Sequence, residues 1–459
     1  MKQWIDEYWE REALPALMEF GTIPNVSPAF DHAWSEHGHM DRAAAFLKTW
    51  AEGRDVPGMM VELMRPDMRT PLLFIEIPGE GETVLMYGHL DKQPPMLPWR
   101  EGLDPWSPVR EGDLLYGRGI ADDGYSLFAA LGAVEAALKS GAKIPRICIM
   151  IEASEESGSL DLEHYVAVLQ ERIGTPRIVI TLDSEDRGGD RLWLTQSLRG
   201  LVNGLLTVET IPGTMHSGLA SGVVPSTGRI MRMLLSRIEN PVTGHIINEV
   251  INPPLDAHKK EYASAVAKAV PDFLDGYELP RGLAAAADTL PELVANNLVR
   301  AGLEVTGITG LPTAEGSGNV MVGKLTARLS MRIPPGVDPD TVATELKRVL
   351  EEEPPYGAHV TFTPTDGGWG WIAKPFTTET LARITEASSE CYSAPFGQSG
   401  IGASIPFVEI MVRTFPHSEH VLTGILSQSS HAHGPNENMS IEKVKKLTHF
   451  VAVLISNRS

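Results

Sequence analysis

The chain contains little cysteine and comparatively few basic residues. Two cysteines, Cys148 and Cys391, occur in 459 residues, which is too few for a disulfide framework or a thiolate zinc site. The 39 Lys and Arg residues against 59 Asp and Glu residues give a formal net charge of -20. Because such a surface repels a phosphate backbone, we expect no nucleic-acid partner.

Long apolar runs are also missing. No segment approaches the roughly 20 apolar residues that span a bilayer. The N-terminus begins "MKQWIDEYWE", with acidic and aromatic residues in place of the apolar core of a signal peptide. Together with the scarce cysteine, these features predict a cytoplasmic protein without a membrane partner.

Short apolar runs alternate with a helical pattern over about the first 190 residues, as in an α/β sheet domain. The helical pattern covers residues 126–141 and ends at Gly141, a common helix stop. Strands are predicted at 72–77, 83–88, 146–153 and 177–183. Since ligands bind beyond the carboxyl ends of strands in open α/β sheets, the polar segments after these runs are the expected site.

From about residue 198 the sequence changes to strand patterns in which apolar and polar residues alternate. A chain of this length accommodates two domains, and we predict an inserted α+β domain over 198–372. Residues 1–197 and 373–459 then form one α/β domain on both sides of the insertion. Further helices are predicted at 281–302, 377–394 and 440–456.

Imidazole and carboxylate side chains recur in the polar segments. Two histidines and several carboxylates are the ligands expected of zinc, manganese or cobalt, and two ions sharing a carboxylate need about this number. Each position alone is more often a solvated loop. Adjacent carboxylates such as Glu155 and Glu156 repel each other unless solvent or a cation lies nearby. The positions are His89 with Asp91, Asp122, Glu155 with Glu156, Asp183, and His433.

Five segments in order resemble the co-catalytic dinuclear zinc metallopeptidases: "VLMYGHLDKQP", "LYGRGIADDG", "IEASEESGS", "MHSG" followed by "GVVP", and "HGPNE". This family includes carnosinase-like dipeptidases, aminoacylases, glutamate carboxypeptidases, acetylornithine deacetylase and succinyl-diaminopimelate desuccinylase. The resemblance covers nearly the whole chain. It implies a zinc-peptidase catalytic domain, with a mixed sheet flanked by helices, and an inserted α+β lid or dimerisation domain.

The resemblance also implies a ligand set for two divalent ions, most readily Zn²⁺, with Mn²⁺ or Co²⁺ as alternatives. His89 and Asp183 would hold one ion, Glu156 and His433 the other, and Asp122 would bridge both. His431 is a neighbouring candidate, but "HGPNE" favours His433 as the ligand.

Catalytic roles follow from the same resemblance. Asp91 would orient His89 through its other ring nitrogen, and Glu155 matches the general base. The two adjacent glutamates can serve two roles only if the chain turns, which Ser157 and Gly158 permit.

The inserted domain would supply further groups. His216 would stabilise the oxyanion, often from the partner subunit of a homodimer in this family. Arg332 resembles the arginine that binds the substrate carboxylate, with a surface or interdomain salt bridge as the alternative. Gly402 and Ser404 would contact substrate through a backbone amide and a hydroxyl. Glu437 would receive a substrate amine or cap a helix, and the sequence does not separate these roles.

Two segments depart from the family pattern. Gly124 and Tyr125 stand where many members have Lys-Gly, and Gly-Ile-Gly-Ala at 400–403 replaces the usual Glu-Gly-Gly. Neither departure removes a metal ligand. A pocket with less charge would suit an apolar acyl group or side chain.

The resemblance implies a hydrolase that cleaves an amide bond in a small carboxylate-bearing substrate. The segments "GHLDKQP" and "EESGS" favour a dipeptidase, and an N-acyl amino acid deacylase is the alternative. A non-catalytic ligand-binding or assembly protein with the same fold is an alternative of another class. That alternative predicts a missing ligand or base, whereas this sequence has all of them.

Overall fold

The computed structural model describes residues 1–66, 68–277 and 279–456. The chain forms two compact units. Unit 1 comprises Met1–Thr195, Ala373–Ser399 and Pro406–Ser459, and unit 2 comprises Gln196–Ile372 and Gly400–Ile405. The segment Gly400–Ile405 therefore belongs to unit 2, whereas the sequence analysis placed it in the first domain.

Fourteen α-helices are described. They are α1 (Lys2–Tyr8), α2 (Leu14–Gly21), α3 (Trp34–His37), α4 (His39–Glu52), α5 (Ser126–Lys139), α6 (Leu162–Ile173), α7 (Ser217–Ala220), α8 (Thr227–Leu235), α9 (Ala257–Ala269), α10 (Leu290–Leu298), α11 (Pro339–Glu351), α12 (Thr378–Cys391), α13 (Pro406–Thr414) and α14 (Ile441–Ile455). Among these described helices, none has the length and apolar character needed to cross a bilayer.

Sixteen strands are described. They are β1 (Met60–Met64), β2 (Leu72–Ile77), β3 (Thr83–His89), β4 (Val109–Glu111), β5 (Leu114–Tyr116), β6 (Ile147–Glu152), β7 (Pro176–Thr181), β8 (Trp193–Leu198), β9 (Gly200–His216), β10 (Gly302–Thr309), β11 (Val320–Ile333), β12 (His359–Gly368), β13 (Trp371–Ile372), β14 (Gly397–Ile401), β15 (Glu419–Leu422) and β16 (Asn438–Ser440).

The main sheet of unit 1 is mixed and has the order β1-β2-β6-β3-β7-β15-β8. Strands β6, β3, β7 and β15 run parallel, while β1, β2 and β8 pair antiparallel with their neighbours. All six residues of β6 are buried, as expected for a central parallel strand covered on both faces. Helices α5 and α14 bury Phe128, Leu131, Phe450 and Val451 in the core of this unit. The α/β fold class is thus confirmed.

The parallel centre of this sheet fixes where the polar segments meet. Strand β3 lies between β6 and β7, with His89 opposite Glu152 and Tyr87 opposite Thr181. The segments that follow these three strands therefore leave the same edge of the sheet. A small antiparallel sheet, β16-β5-β4, also places the segment after Tyr116 beside the segment before Asn438.

Unit 2 contains a four-stranded antiparallel sheet of order β10-β11-β9-β12. Alternate residues of β11 are buried, as expected of a sheet with one covered face. Helices α8 and α11 supply Ile230, Leu234, Val342 and Leu346 to the core of this unit.

The predicted helix over 281–302 is wrong in its first part. Helix α10 begins only at Leu290, where the side chain of Thr289 accepts a hydrogen bond from the backbone N–H of Glu292. Pro291 follows within the first turn. A threonine cap and an early proline both mark a helix start, so they outweigh the helix propensity of the alanines before them.

Candidate metal centre

His89 is the last residue of β3 and is buried, with 1% of its surface exposed. Its Nδ1 lies 3.0 Å from the backbone oxygen of Asp91 and 3.4 Å from the Asp91 carboxylate. Its Nε2 lies 3.4 Å from Asp122 Oδ1 and 3.8 Å from Asp183 Oδ2. One ring nitrogen thus faces Asp91, and the other faces two of the predicted metal ligands.

The glutamate pair lies in a 3₁₀ turn, Glu155–Ser157, three residues after β6. Gly158 closes the turn at φ +86°, a conformation that glycine adopts without strain. The chain thus turns directly after the glutamate pair. Glu156 has 3% of its side chain exposed and lies 3.3 Å from His433 Nε2.

Asp183 follows β7, and Asp122 lies in the loop before α5. The hydroxyl of Tyr125 donates to the carbonyl oxygen of Leu182 and so joins these two loops. Tyr125 is fully buried, and a Cβ at Gly124 would lie 2.3 Å from the oxygen of Gly119. The departure from Lys-Gly therefore builds a packed contact between the two ligand-bearing loops.

His433 approaches the cluster from the solvent side, with 57% of its side chain exposed. Its Nε2 lies 2.8 Å from Asp122 Oδ2. The neighbouring His431 is also exposed and is part of neither donor group described below. Two other carboxylates are close in sequence to predicted ligands. Asp123 accepts a hydrogen bond from the backbone N–H of His89, and Glu185 forms an ion pair with Arg187.

The five predicted ligands form two donor groups that share Asp122. Within each group, the donor atoms all lie within 4.8 Å of one another. Hereafter group A is His89, Asp122 and Asp183, and group B is Asp122, Glu156 and His433.

The donor atoms fit a pair of divalent cations. His89 Nε2 and Glu156 Oε1 are buried, and each lacks a hydrogen-bond partner in the part of the chain that the structure describes. Buried polar atoms almost always have such a partner. Imidazole nitrogen and carboxylate oxygen together are the ligands that zinc, manganese and cobalt accept.

The electrostatics of the cluster support the same interpretation. Burial and neighbouring carboxylates raise the pKa values of Glu155 and Glu156 well above their usual range. Burial and the Asp122 carboxylate raise the pKa of Asp183 to about 6. Burial alone would raise the pKa of Asp122 as well, but the adjacent His433 and His89 hold it below its usual range. The carboxylates repel one another, and a bound cation would relieve that repulsion.

The predicted substrate residues lie in unit 2. Arg332 Nη1 donates to Ser404 Oγ at 3.3 Å, and the backbone oxygen of Gly402 accepts a hydrogen bond from Arg199 Nε at 2.9 Å. His216 ends β9 and is exposed, and its Nδ1 accepts a hydrogen bond from the backbone N–H of Gly218 at 3.1 Å. The structure therefore brings Arg332 and Ser404 together, while His216 belongs to the other end of the long strand pair β9 and β11.

The sequence model of Peptidase family M20/M25/M40 matches residues 85–457. The chain belongs to this family. The cysteinylglycine-S-conjugate dipeptidase of Corynebacterium striatum is 23% identical over 373 residues, which are 80% of this chain and 79% of that relative. The Beta-Ala-His dipeptidase of Homo sapiens is 25% identical over 391 residues, which are 81% of this chain and 74% of the relative.

One solved structure shares the overall fold of this chain. The dipeptidase Dug1p from Saccharomyces cerevisiae aligns with a TM-score of 0.77 at 21% identity, covering 99% of this chain and 97% of that one. The predicted metallopeptidase family and its fold are thus confirmed.

Sequence reasoning missed two residues of this peptidase that contact predicted site residues, Arg199 and Gln93. Arg199 binds the loop that carries Gly402, and it also donates to the backbone oxygens of Asn296 at 3.1 Å and Arg300 at 3.4 Å. The side-chain amide of Gln93 donates to Glu156. Gln93 lies within "GHLDKQP" and was available to that motif, whereas the contacts of Arg199 span about a hundred residues or more and leave no local signal.

Proposed function

We propose that the chain is a metal-dependent dipeptidase that cleaves the amide bond of a small substrate with a free carboxylate. The observation that carries this proposal is the meeting of two donor groups, sharing Asp122, at the edge where β3, β6 and β7 end. Membership of the peptidase family and the two dipeptidase relatives support it.

Group A would hold one divalent ion and group B the other, with Asp122 contributing to both. Zinc fits two imidazoles and three carboxylates, and manganese or cobalt would use the same donors. Ions bound there supply Lewis-acid polarisation of the scissile carbonyl.

Glu155 acts as the general base and then as the general acid. It takes a proton from the attacking water as the water oxygen bonds to the carbonyl carbon, and it returns a proton to the amine nitrogen as the C–N bond breaks. Burial raises the pKa of Glu155, which favours its taking up a proton from water. Asp91 fixes the ring of His89 and the turn that carries Glu155.

Arg332 binds the substrate carboxylate, assisted by Ser404 and by the backbone of Gly402. Ser404 is its one hydrogen-bond partner among the described residues, and no carboxylate of those residues forms an ion pair with it. Burial lowers the pKa of Arg332, because the charged guanidinium is poorly hydrated there. A substrate carboxylate would supply the opposite charge that the described residues do not.

His216 donates a hydrogen bond to the carbonyl oxygen as negative charge develops there. Since Nδ1 accepts from Gly218, a neutral ring carries its proton on Nε2, which makes Nε2 the donor. We propose that this group acts across a homodimer whose interface lies in the inserted domain. We also propose a cytoplasmic setting, because Cys148 and Cys391 are free thiols, the usual state of cysteine in that compartment.

A hydrolysis screen tests the proposal. Purified protein would be incubated with a dipeptide library and a matched library of N-acyl amino acids, with products measured by mass spectrometry. We expect close to two divalent ions per chain by elemental analysis and faster turnover of dipeptides. Preferred cleavage of N-acyl amino acids would establish the deacylase alternative, and full activity of metal-free protein would contradict the mechanism.

A further inference from the structure

Arg118 and Glu437 form a buried ion pair beside the candidate metal centre. Their side chains are 1% and 0% exposed, and Arg118 Nη1 lies 2.6 Å from Glu437 Oε2. The pair joins "GRGIADDG" to "HGPNE", segments that are more than 300 residues apart in the chain. Arg118 Nη2 also donates to the backbone oxygen of Gly434.

The carboxylate of Glu437 organises the backbone that leads to Asp122. Oε2 accepts from the N–H of Gly119 at 2.9 Å, and Oε1 accepts from the N–H groups of Ala121 at 3.0 Å and Asp122 at 3.2 Å. Three backbone donors and one guanidinium thus converge on a single buried carboxylate. Each would be left unpaired, at a cost, if that carboxylate were removed.

These contacts decide between the two roles that the sequence left open for Glu437. Both of its oxygens are engaged and its side chain is buried, so no oxygen remains to receive a substrate amine. Helix α14, the next helix in the chain, is capped by Ser440, whose side chain accepts from the N–H of Lys443. The Glu437 carboxylate instead caps the start of the helical turn Ile120–Gly124, where it accepts from the N–H groups of Ala121 and Asp122.

The two segments that the pair joins carry the shared ligand and a ligand of group B. Asp122 receives its backbone support directly from Glu437, and Gly434, which Arg118 binds, is the residue after His433. We propose that Arg118 and Glu437 are a positioning pair that sets the spacing between Asp122 and His433 for metal binding. The proposal rests on the metal centre proposed above.

A buried ion pair is by itself weak evidence for any role, because its desolvation offsets its attraction. The chain supplies a matched control in Arg54 and Glu135, with Nε to Oε1 at 2.5 Å and Nη2 to Oε2 at 3.0 Å. The side chains of this control pair are 10% and 2% exposed, and it contacts no residue of group A or group B in the described structure. Loss of either pair should destabilise the fold, but only loss of the positioning pair should weaken metal binding.

The experiment is a Zn²⁺ titration of the full-length protein after removal of metal with a chelator. Glu437→Gln and Arg118→Lys are compared with Glu135→Gln and the unmodified chain, by calorimetry or by competition with a chromophoric chelator. We expect Glu437→Gln and Arg118→Lys to bind Zn²⁺ about 10–100-fold more weakly, as is usual when a residue supporting a ligand is lost. Glu135→Gln should bind Zn²⁺ with unchanged affinity although it also unfolds at a lower temperature.

Circular dichroism confirms that each variant is folded before titration. Where Glu437→Gln does not fold, Glu437→Asp keeps the charge but shortens the side chain, and the same loss of about 10–100-fold in Zn²⁺ affinity is expected. Unchanged affinity in the folded variants, with two ions bound by the unmodified chain, would overturn the positioning role alone. Failure of the unmodified chain to bind two ions would overturn both this role and the proposed metal centre.

Discussion

Oδ1 of Asp91 accepts a hydrogen bond from the backbone N–H of Glu155 at 3.1 Å. Oδ2 of the same carboxylate accepts from the N–H of Glu156, also at 3.1 Å, and from Ser27 Oγ at 2.6 Å. The resemblance predicted a role for Asp91 toward His89. The structure shows that Asp91 also holds the turn on which both glutamates lie.

Asp91→Asn should impair catalysis more than it impairs folding. In asparagine one of the two accepting oxygens is replaced by an amide N–H₂. This donor would face the backbone N–H of Glu155 or Glu156, which needs an acceptor. We expect kcat to fall about 10–100-fold, measured at saturating dipeptide. Ser27→Ala removes one donor to Asp91 and the contact of Ser27 Oγ with Ser157 Oγ, but it leaves both hydrogen bonds from the turn backbone to Asp91, so its kcat should fall less. Equal kcat values for Asp91→Asn and the unmodified chain would show that the turn holds its position without this carboxylate.

Glu155→Gln and Glu156→Gln should separate the two glutamates. We expect Glu155→Gln to lower kcat by about 10²–10⁴-fold, the usual contribution of a general acid–base group, while two ions remain bound. Glu156→Gln should instead lose one ion, because Glu156 belongs to group B. Kinetics and elemental analysis of the same samples distinguish the general base from the metal ligand. Loss of metal from Glu155→Gln would mean that Glu155 is the ligand and Glu156 the base.

His420 on β15 predicts a pH dependence of stability that is independent of the metal centre. Burial lowers its pKa to about 4, and the charge of Lys374 adds to this shift. The unfolded chain therefore binds more protons than the native one between about pH 4 and 6.5, and stability is lost as pH falls through that range. A shift of this size corresponds to roughly 3 kcal/mol.

His420→Gln should remove the loss of stability that protonation of His420 causes at low pH. Relative to this variant, the free energy of unfolding of the unmodified chain should fall by about 3 kcal/mol between pH 7 and pH 4, measured by urea unfolding. His417→Gln changes an exposed histidine three residues away and should leave the profile unchanged. Parallel profiles for the unmodified chain and His420→Gln would contradict the shifted pKa.

The strand ends that carry the candidate ligands could be predicted from the sequence, because local patterns determine them. Residues 72–77, 83–88, 146–153 and 177–183 correspond to β2, β3, β6 and β7 within one or two residues. Each apolar run stops at a polar segment, and parallel neighbours must end at one edge. The placement of His89, Glu156 and Asp183 follows from those two facts.

The supporting contacts could not be predicted, because they join distant parts of the chain. Arg118 and Glu437 are neighbours only because β5 pairs with β16. The segment 400–405 belongs to unit 2 through hydrogen bonds to Arg199 and Arg332. The local sequence of each segment does not indicate which distant residues it contacts.

Arg332 should determine recognition of the substrate carboxylate. A dipeptide and its C-terminal amide are to be compared by kcat/KM. Hydrogen bonds to a charged group contribute roughly 1.5–3 kcal/mol, so Arg332→Met should lower kcat/KM for the free acid about 10–100-fold and leave the amide nearly unaffected. Arg328→Met is the control, because Arg328 lies on the same strand, its side chain is 54% exposed, and its one ion pair with a described residue is a long one of 3.9 Å with Asp366. If Arg332→Met retains the preference of the unmodified chain for the free acid, another cation binds the substrate carboxylate.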